Sequence, residues 1–165
     1  MSKKFTNTDP YRADVGSMWA MLCDQDYWRR KYESMGATAL EFQQFDATDT
    51  ALTVRSTRNV PADLPGFAKK IIGDTNHVTQ SERYTRTGDT IRCQIEIAVK
   101  NVPGGTTGSM VIRPTGDGSA WDADLDVKVN IPLVGGKLEG VIHKETANNF
   151  VQEKGFNDSW LAGRG

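Results

Sequence analysis

The 165 residues contain two cysteines, two histidines and no apolar run long enough to cross a bilayer. Each scarcity excludes a class of protein. Cys23 and Cys93 are too few for a disulfide framework, and both have apolar neighbours at core spacing, so buried free thiols are expected. His77 and His143 lie far apart with no Cys or His partner at ligand spacing, which leaves no zinc signature. An excess of positive charge is also missing. Twenty Lys and Arg against 21 Asp and Glu give a net charge of −1, so the chain offers no global positive field for nucleic acid. The opening Met-Ser-Lys-Lys-Phe-Thr-Asn-Thr lacks the apolar stretch of a signal peptide, and a cytoplasmic location without stable membrane insertion is expected.

What is present is a change of period along the chain. With 38% hydrophobic and 25% charged residues, residues 1–165 are expected to fold as one domain. Lys3 to Asn7 reads as a strand. Val15, Met18, Trp19 and Leu22 recur at helical spacing, and Asp24 opens a second short helix carrying Tyr27, Trp28 and Tyr32 and ending at Gly36. From Thr38 to Ile131 the pattern alternates, broken by turn residues such as Gly88-Asp89 and Pro103-Gly104-Gly105, which predicts an antiparallel meander. Its inward phase includes Leu52 and Val54, the series from Ile91 to Val99, and the series from Trp121 to Ile131. Between two strands, Pro61 to Gly73 predicts a short amphipathic helix with Leu64, Phe67, Ala68 and Ile71 on one face. From Leu133 to about Leu161 no proline occurs, so one helix of roughly 43 Å is expected, with a stripe of Val134, Leu138, Val141, Ile142, Phe156 and Trp160 that a sheet must cover.

Motifs that carry chemistry are sparse. Gly135-Gly136-Lys137-Leu138 lacks the Ser or Thr and the first glycine of a phosphate loop, and reads as the small-residue opening of the last helix. Asp122, Asp124 and Asp126 follow a strand period, with Val127 where a calcium loop needs glycine. No Gly-x-Ser-x-Gly elbow appears. Arg29-Arg30-Lys31 reads as a solvated helix face, since three successive charges spread around the helix. These readings assign no catalytic residue, no metal site and no cofactor.

The order strand, two short helices, about six meandering strands and one long helix resembles the helix-grip fold of the START-like or SRPBCC superfamily, which includes Bet v 1-like pollen allergens, lipid-transfer START domains and polyketide cyclases. The sequence is most similar to an uncharacterised bacterial branch of it, a domain of unknown function. The resemblance rests on Thr57-Arg58-Asn59-Val60-Pro61 followed by Leu64-Pro65-Gly66-Phe67, on Val78 to Tyr84, and on Ile131 to Glu139 leading to Trp160-Leu161. It departs at Tyr84, where tryptophan is expected, and in the polar middle of the last helix. It implies an α+β fold in which a curved antiparallel sheet of about seven strands grips the long C-terminal helix across its concave face.

A sheet curled around a helix cannot fill its interior completely, so a pocket lined by the inward phase is expected. Extrapolating that phase names Arg58, Gln80, Glu82, Tyr84, Met110, Trp121 and Leu125 from the strands and Glu145 and Asn149 from the helix, with Phe67 in the inserted lid-like segment. Arg58 and Glu82 lie on an otherwise apolar phase and either pair inside the pocket or hold a polar ligand head. Three functions follow. The first is binding or carriage of a hydrophobic small molecule, lipid-like or aromatic, without catalysis. The second is a cyclase or dehydratase using Glu82 or Glu145 as a buried carboxylate. The third is a ligand-free protein-interaction module presenting Trp28 with the basic run, or Phe150 and Val151. The oligomeric state is left open.

Overall fold

The computed structural model describes residues 2–163. Strand β1 spans Ser2–Tyr11, followed by helices α1 (Val15–Leu22) and α2 (Gln25–Ser34). Both helices begin on aspartate caps: Asp14 accepts from the Ser17 backbone N–H at 2.7 Å and Asp24 from that of Asp26 at 3.0 Å, satisfying donors that the first turn leaves open. Strands β2 (Thr38–Ala47) and β3 (Ala51–Asn59) form a hairpin, α3 (Gly66–Ile72) interrupts the meander, and β4 (His77–Thr87), β5 (Thr90–Val99), β6 (Gly104–Thr115) and β7 (Gly118–Val129) complete it. Helix α4 runs from Gly135 to Gly163.

The seven strands form one antiparallel sheet in the order β1-β7-β6-β5-β4-β3-β2, so the first strand closes against the last. Helix α4 lies against β1 and β7 and touches α2, which also leans on β2. The expected helix-grip architecture is the one observed. Register places Val54, Glu82, Ile95, Gly108, Leu125 and Phe5 in one row across the sheet, pointing to the helix side. Gly108 is required there by close approach: a Cβ would lie 2.2 Å from the Asp124 carbonyl oxygen and 2.9 Å from Leu125 Cδ2. On the other face of the sheet, Asp122 and Asp124 serve cross-strand pairs, with Thr8 at 2.8 Å, Arg113 at 2.7 Å and Lys4 at 3.1 Å.

Several expectations shift at element ends. Strand β1 is longer than Lys3 to Asn7, because pairing with β7 runs from Ser2 to Tyr11. Helix α4 starts at Gly135 rather than Leu133. Leu133 has φ of 71° and is fully exposed, and the helix enters where a side chain would meet the Val129 carbonyl oxygen at 2.6 Å. The stripe expected on α4 is only partly apolar. At its ends Leu138, Val141 and Ile142 join a cluster with Ala68, Ile72, Val102 and Val129, while Phe150, Phe156 and Trp160 join the main core; between them the inner face is polar.

One polar side chain ties three elements together. Asn157, 2% exposed on α4, accepts from the Tyr27 hydroxyl of α2 at 2.7 Å and donates to the Tyr11 hydroxyl of β1 at 3.1 Å. Removing it leaves two buried phenols unsatisfied. Asn157→Ala is expected to lower unfolding free energy by about 2–4 kcal/mol in urea denaturation, against about 0.5 kcal/mol or less for exposed Asn148→Ala. Equal effects would show that the link carries no stability.

Candidate ligand-binding site

Strands β3 and β4 supply the polar wall. Their inward residues are Leu52, Val54, Ser56 and Arg58 on one strand and Tyr84, Glu82, Gln80 and Val78 on the other, brought side by side by register. A directed chain of hydrogen bonds runs along them. Arg58 Nη2 donates to Gln80 Oε1 at 2.9 Å, Gln80 Nε2 donates to Glu82 Oε2 at 2.7 Å, and the Tyr84 hydroxyl donates to Glu82 Oε1 at 2.5 Å. Arg58 and Glu82 therefore do not form the direct pair that their shared phase suggested; Gln80 stands between them. Burial pushes the Glu82 carboxyl above the ordinary glutamate range, and the nearby Lys31 charge and the bonds from Tyr84 and Gln80 hold that rise back.

The opposite wall holds a charge that the sequence reading placed in water. Lys31 is 2% exposed. On α2 it shares the inward face with Tyr27, Trp28 and Tyr32, and its Nζ lies 4.2–5.0 Å from the centroids of all three rings. Glu153 of α4 pairs with it at 3.0 Å. Burial opposes the lysine charge, but the Glu153 carboxylate together with Tyr27, Tyr32 and Glu82 outweighs it and holds the pKa well above the usual lysine value, so the ammonium persists. Only Arg29 and Arg30 of the basic run are solvated, Arg30 pairing with Asp26 at 2.7 Å. The signal available in the sequence was the spacing: Lys31 sits four residues after Tyr27 and three after Trp28, on their stripe.

Between these walls lies a partly enclosed cavity of about 120 Å³. Arg58, Gln80, Glu82, Met110, Trp121, Leu125, Glu145 and Asn149 line it, together with Lys31, Ile95, Ile97, Ile142, Phe150 and Glu153. Two residues expected there are elsewhere. Tyr84 is buried in the main core, reaching the site only through its bond to Glu82. Phe67 packs into the cluster around Ile72, with Lys137 Nζ 4.4 Å from its ring centroid; the inserted segment closes the cavity with Leu64 and Ile72 instead. Phe150 is not outward either: it stacks 5.0 Å from Phe5 and faces the cavity, and Trp28 is fully buried, so of the expected interaction surface Val151, Arg29 and Arg30 are exposed while both aromatic residues are not.

An outer vestibule of about 520 Å³ adjoins the cavity, bounded by Tyr32, the segment Pro61–Asp63, and Glu145, Asn148, Asn149 and Gln152 of α4. Met35, Arg58, Val60, Glu145 and Asn149 belong to both spaces and form the neck between them. A third, open groove near Tyr11, Asp24 and Trp160 shares no wall with the cavity, and its charges are largely paired with one another, Arg30 with Asp26 and Lys154 with Asp158.

This arrangement is a helix-grip fold with a small internal cavity. The chain belongs to the family described as "Protein of unknown function (DUF2505)", which it matches over residues 6–161. It is 21% identical over 172 residues to the uncharacterized protein Rv0481c of Mycobacterium tuberculosis, covering 98% of each chain. Among solved structures it is similar to the ZhuI aromatase/cyclase of Streptomyces sp. R1128, with a TM-score of 0.60, 12% identity and coverage of 100% of this chain and 99% of that one. It is also similar to a STAR-related lipid transfer protein of Xanthomonas axonopodis, with a TM-score of 0.57, 16% identity, and 93% and 85% coverage. At these identities the likeness concerns the fold.

The raised Glu82 pKa has a sign in stability. A carboxyl whose folded pKa exceeds its unfolded value of about 4.3 contributes most below that value and loses its contribution as pH rises through the folded one. Wild type minus Glu82→Gln is therefore expected to show a stability difference that falls as pH is raised from about 4 through Glu82's elevated pKa, read from urea midpoints at each pH. A difference that is flat or grows with pH would contradict the burial effect.

Proposed function

We propose that this protein binds or carries a small hydrophobic molecule, aromatic or lipid-like, in the cavity under α4, without catalysing a reaction on it. The observation that carries this reading is the partly enclosed space of about 120 Å³ whose aliphatic lining of Ile95, Ile97, Leu125, Val141 and Ile142 is flanked by charged groups that are tied to protein partners, Lys31 to Glu153 and Glu82 to Gln80 and Tyr84. An apolar cavity of about 150 Å³ accepts a benzene-sized guest. A single ring or a short chain suits the inner space, with the remainder of a larger ligand in the vestibule. A guest with roughly 200 Å² of apolar surface gains about 5 kcal/mol at about 25 cal/mol per Å² before ordering costs, which gives weak binding unless a polar contact adds to it.

The acid–base alternative is less well supported. Glu82 accepts from Tyr84 at one oxygen and from Gln80 at the other, bonds that hold the carboxyl against the β4 wall and occupy part of its accepting capacity. The ligand-free interaction reading loses its aromatic anchors with Trp28 and Phe150 turned inward. Cys23 and Cys93 are free thiols, which suits action in the reducing cytoplasm. The similar folds of an aromatase/cyclase and a lipid transfer protein support an internal site for apolar compounds and do not choose between carriage and chemistry.

Native mass spectrometry of protein purified from its own source tests the reading. A small-molecule adduct is expected on wild type and should be lost in Ile97→Phe, which fills the cavity from the floor of β5. An adduct equally retained by the filled variant would place the ligand elsewhere, and turnover of a candidate substrate abolished by Glu82→Gln would replace carriage by catalysis.

A further inference from the structure

Resting on the cavity as a small-molecule site, the geometry of the neck specifies the polar end of the ligand. Arg58 is 8% exposed and belongs to both the cavity and the vestibule. One edge of its guanidinium is used, Nη2 donating to the neutral amide oxygen of Gln80, while Nη1 is buried with no partner. No carboxylate of the described residues lies within ion-pair distance of it. Lys31, the other cation of the cavity wall, is by contrast neutralised by Glu153.

A desolvated guanidinium without a counter-anion is costly, and the ring of Tyr32, 3.9 Å away at its centroid, offsets that only in part. The Tyr32 hydroxyl is itself buried and unpartnered, and Tyr32 lines the vestibule beside Arg58. Two orphaned donors, one of them charged, thus lie together at the neck.

We infer that Arg58 and Tyr32 form an anchor for a carboxylate, so that the ligand is a small aromatic or aliphatic monocarboxylic acid with its apolar body in the inner cavity. A planar carboxylate accepts from the free guanidinium edge through one oxygen and from the phenol through the other, supplying the missing negative charge in place. The vestibule argues for a single negative charge. Asp63 and Glu145 line it, and a phosphate dianion at the neck would meet their field with only one guanidinium edge to hold it.

Calorimetry with 3-phenylpropionate and its uncharged isostere 3-phenylpropanamide tests the anchor. Wild type is expected to bind the acid roughly tenfold or more tightly than the amide. Arg58→Gln should bring the acid to within about twofold of the amide, and Tyr32→Phe should narrow the gap between acid and amide by a smaller factor. Without ligand, Arg58→Gln should melt at or above wild type, because it removes an uncompensated buried charge. Equal binding of acid and amide by wild type overturns the anchor and leaves the pocket standing. Binding of neither compound overturns both, and an Arg58→Gln variant that melts well below wild type or fails to fold overturns the claim that the guanidinium awaits an anion.

Discussion

A lysine ammonium enclosed by three aromatic rings must be neutralised where it stands, and here the counter-charge comes from another helix. Lys31 of α2 and Glu153 of α4 meet at 3.0 Å with the lysine almost wholly removed from water. Separating them would leave the buried ammonium without its counter-charge. The contact therefore fixes where α4 crosses α2. Asn157, one turn further along α4, bonds Tyr27 and Tyr11 and extends the same seam to β1.

This seam explains why there is a cavity at all. A helix with aliphatic residues throughout its inner face would settle into the sheet, whereas the middle of α4 presents Thr146, Asn149 and Glu153. Most apolar contacts gather toward the two ends, where Leu138 packs near Ile72 and Val129, and Phe156 and Trp160 pack near Tyr27, with Phe150 against Phe5 between them. Across the gap, β3 and β4 answer with Arg58, Gln80 and Glu82, whose hydrogen bonds run toward Glu82 and leave the outer edge of Arg58 unused. Within the space the charges of Lys31 and Glu82 are engaged by protein partners, whereas Arg58 at the neck keeps a free donor, which suits an amphiphilic guest that enters apolar end first.

The strands were the most legible part of the chain, because alternation is a direct consequence of the pleat. The series Ile91, Cys93, Ile95 and the series Trp121 to Val129 are buried as their phase required, and the same phase correctly turned Arg58 and Glu82 inward. What phase cannot supply is the length and direction of a side chain. Arg58 reaches Gln80 rather than Glu82, and Tyr84, although in phase, ends in the core behind the cavity. The helices were harder to read. Three consecutive cations on α2 hide the fact that one of any three falls on the inward face, and on α4 polar residues facing inward look like a break in the stripe until their partners on other elements are known. Phe67 failed for a related reason: α3 does seal one end of the cavity, but Leu64 and Ile72 face it while Phe67 turns to Lys137.

Helix α4 is held off the sheet, leaving beneath it a small space with a patch of aliphatic side chains. Methyl NMR of the protein under xenon pressure measures this most directly, since xenon enters dry apolar cavities with little regard for chemistry. The account predicts shifts concentrated on Ile95, Ile97, Leu125, Ile142 and Met110, which line that space. Unshifted signals from these methyls, with xenon found only at the surface, would show the helix packed down on the sheet and would contradict the account.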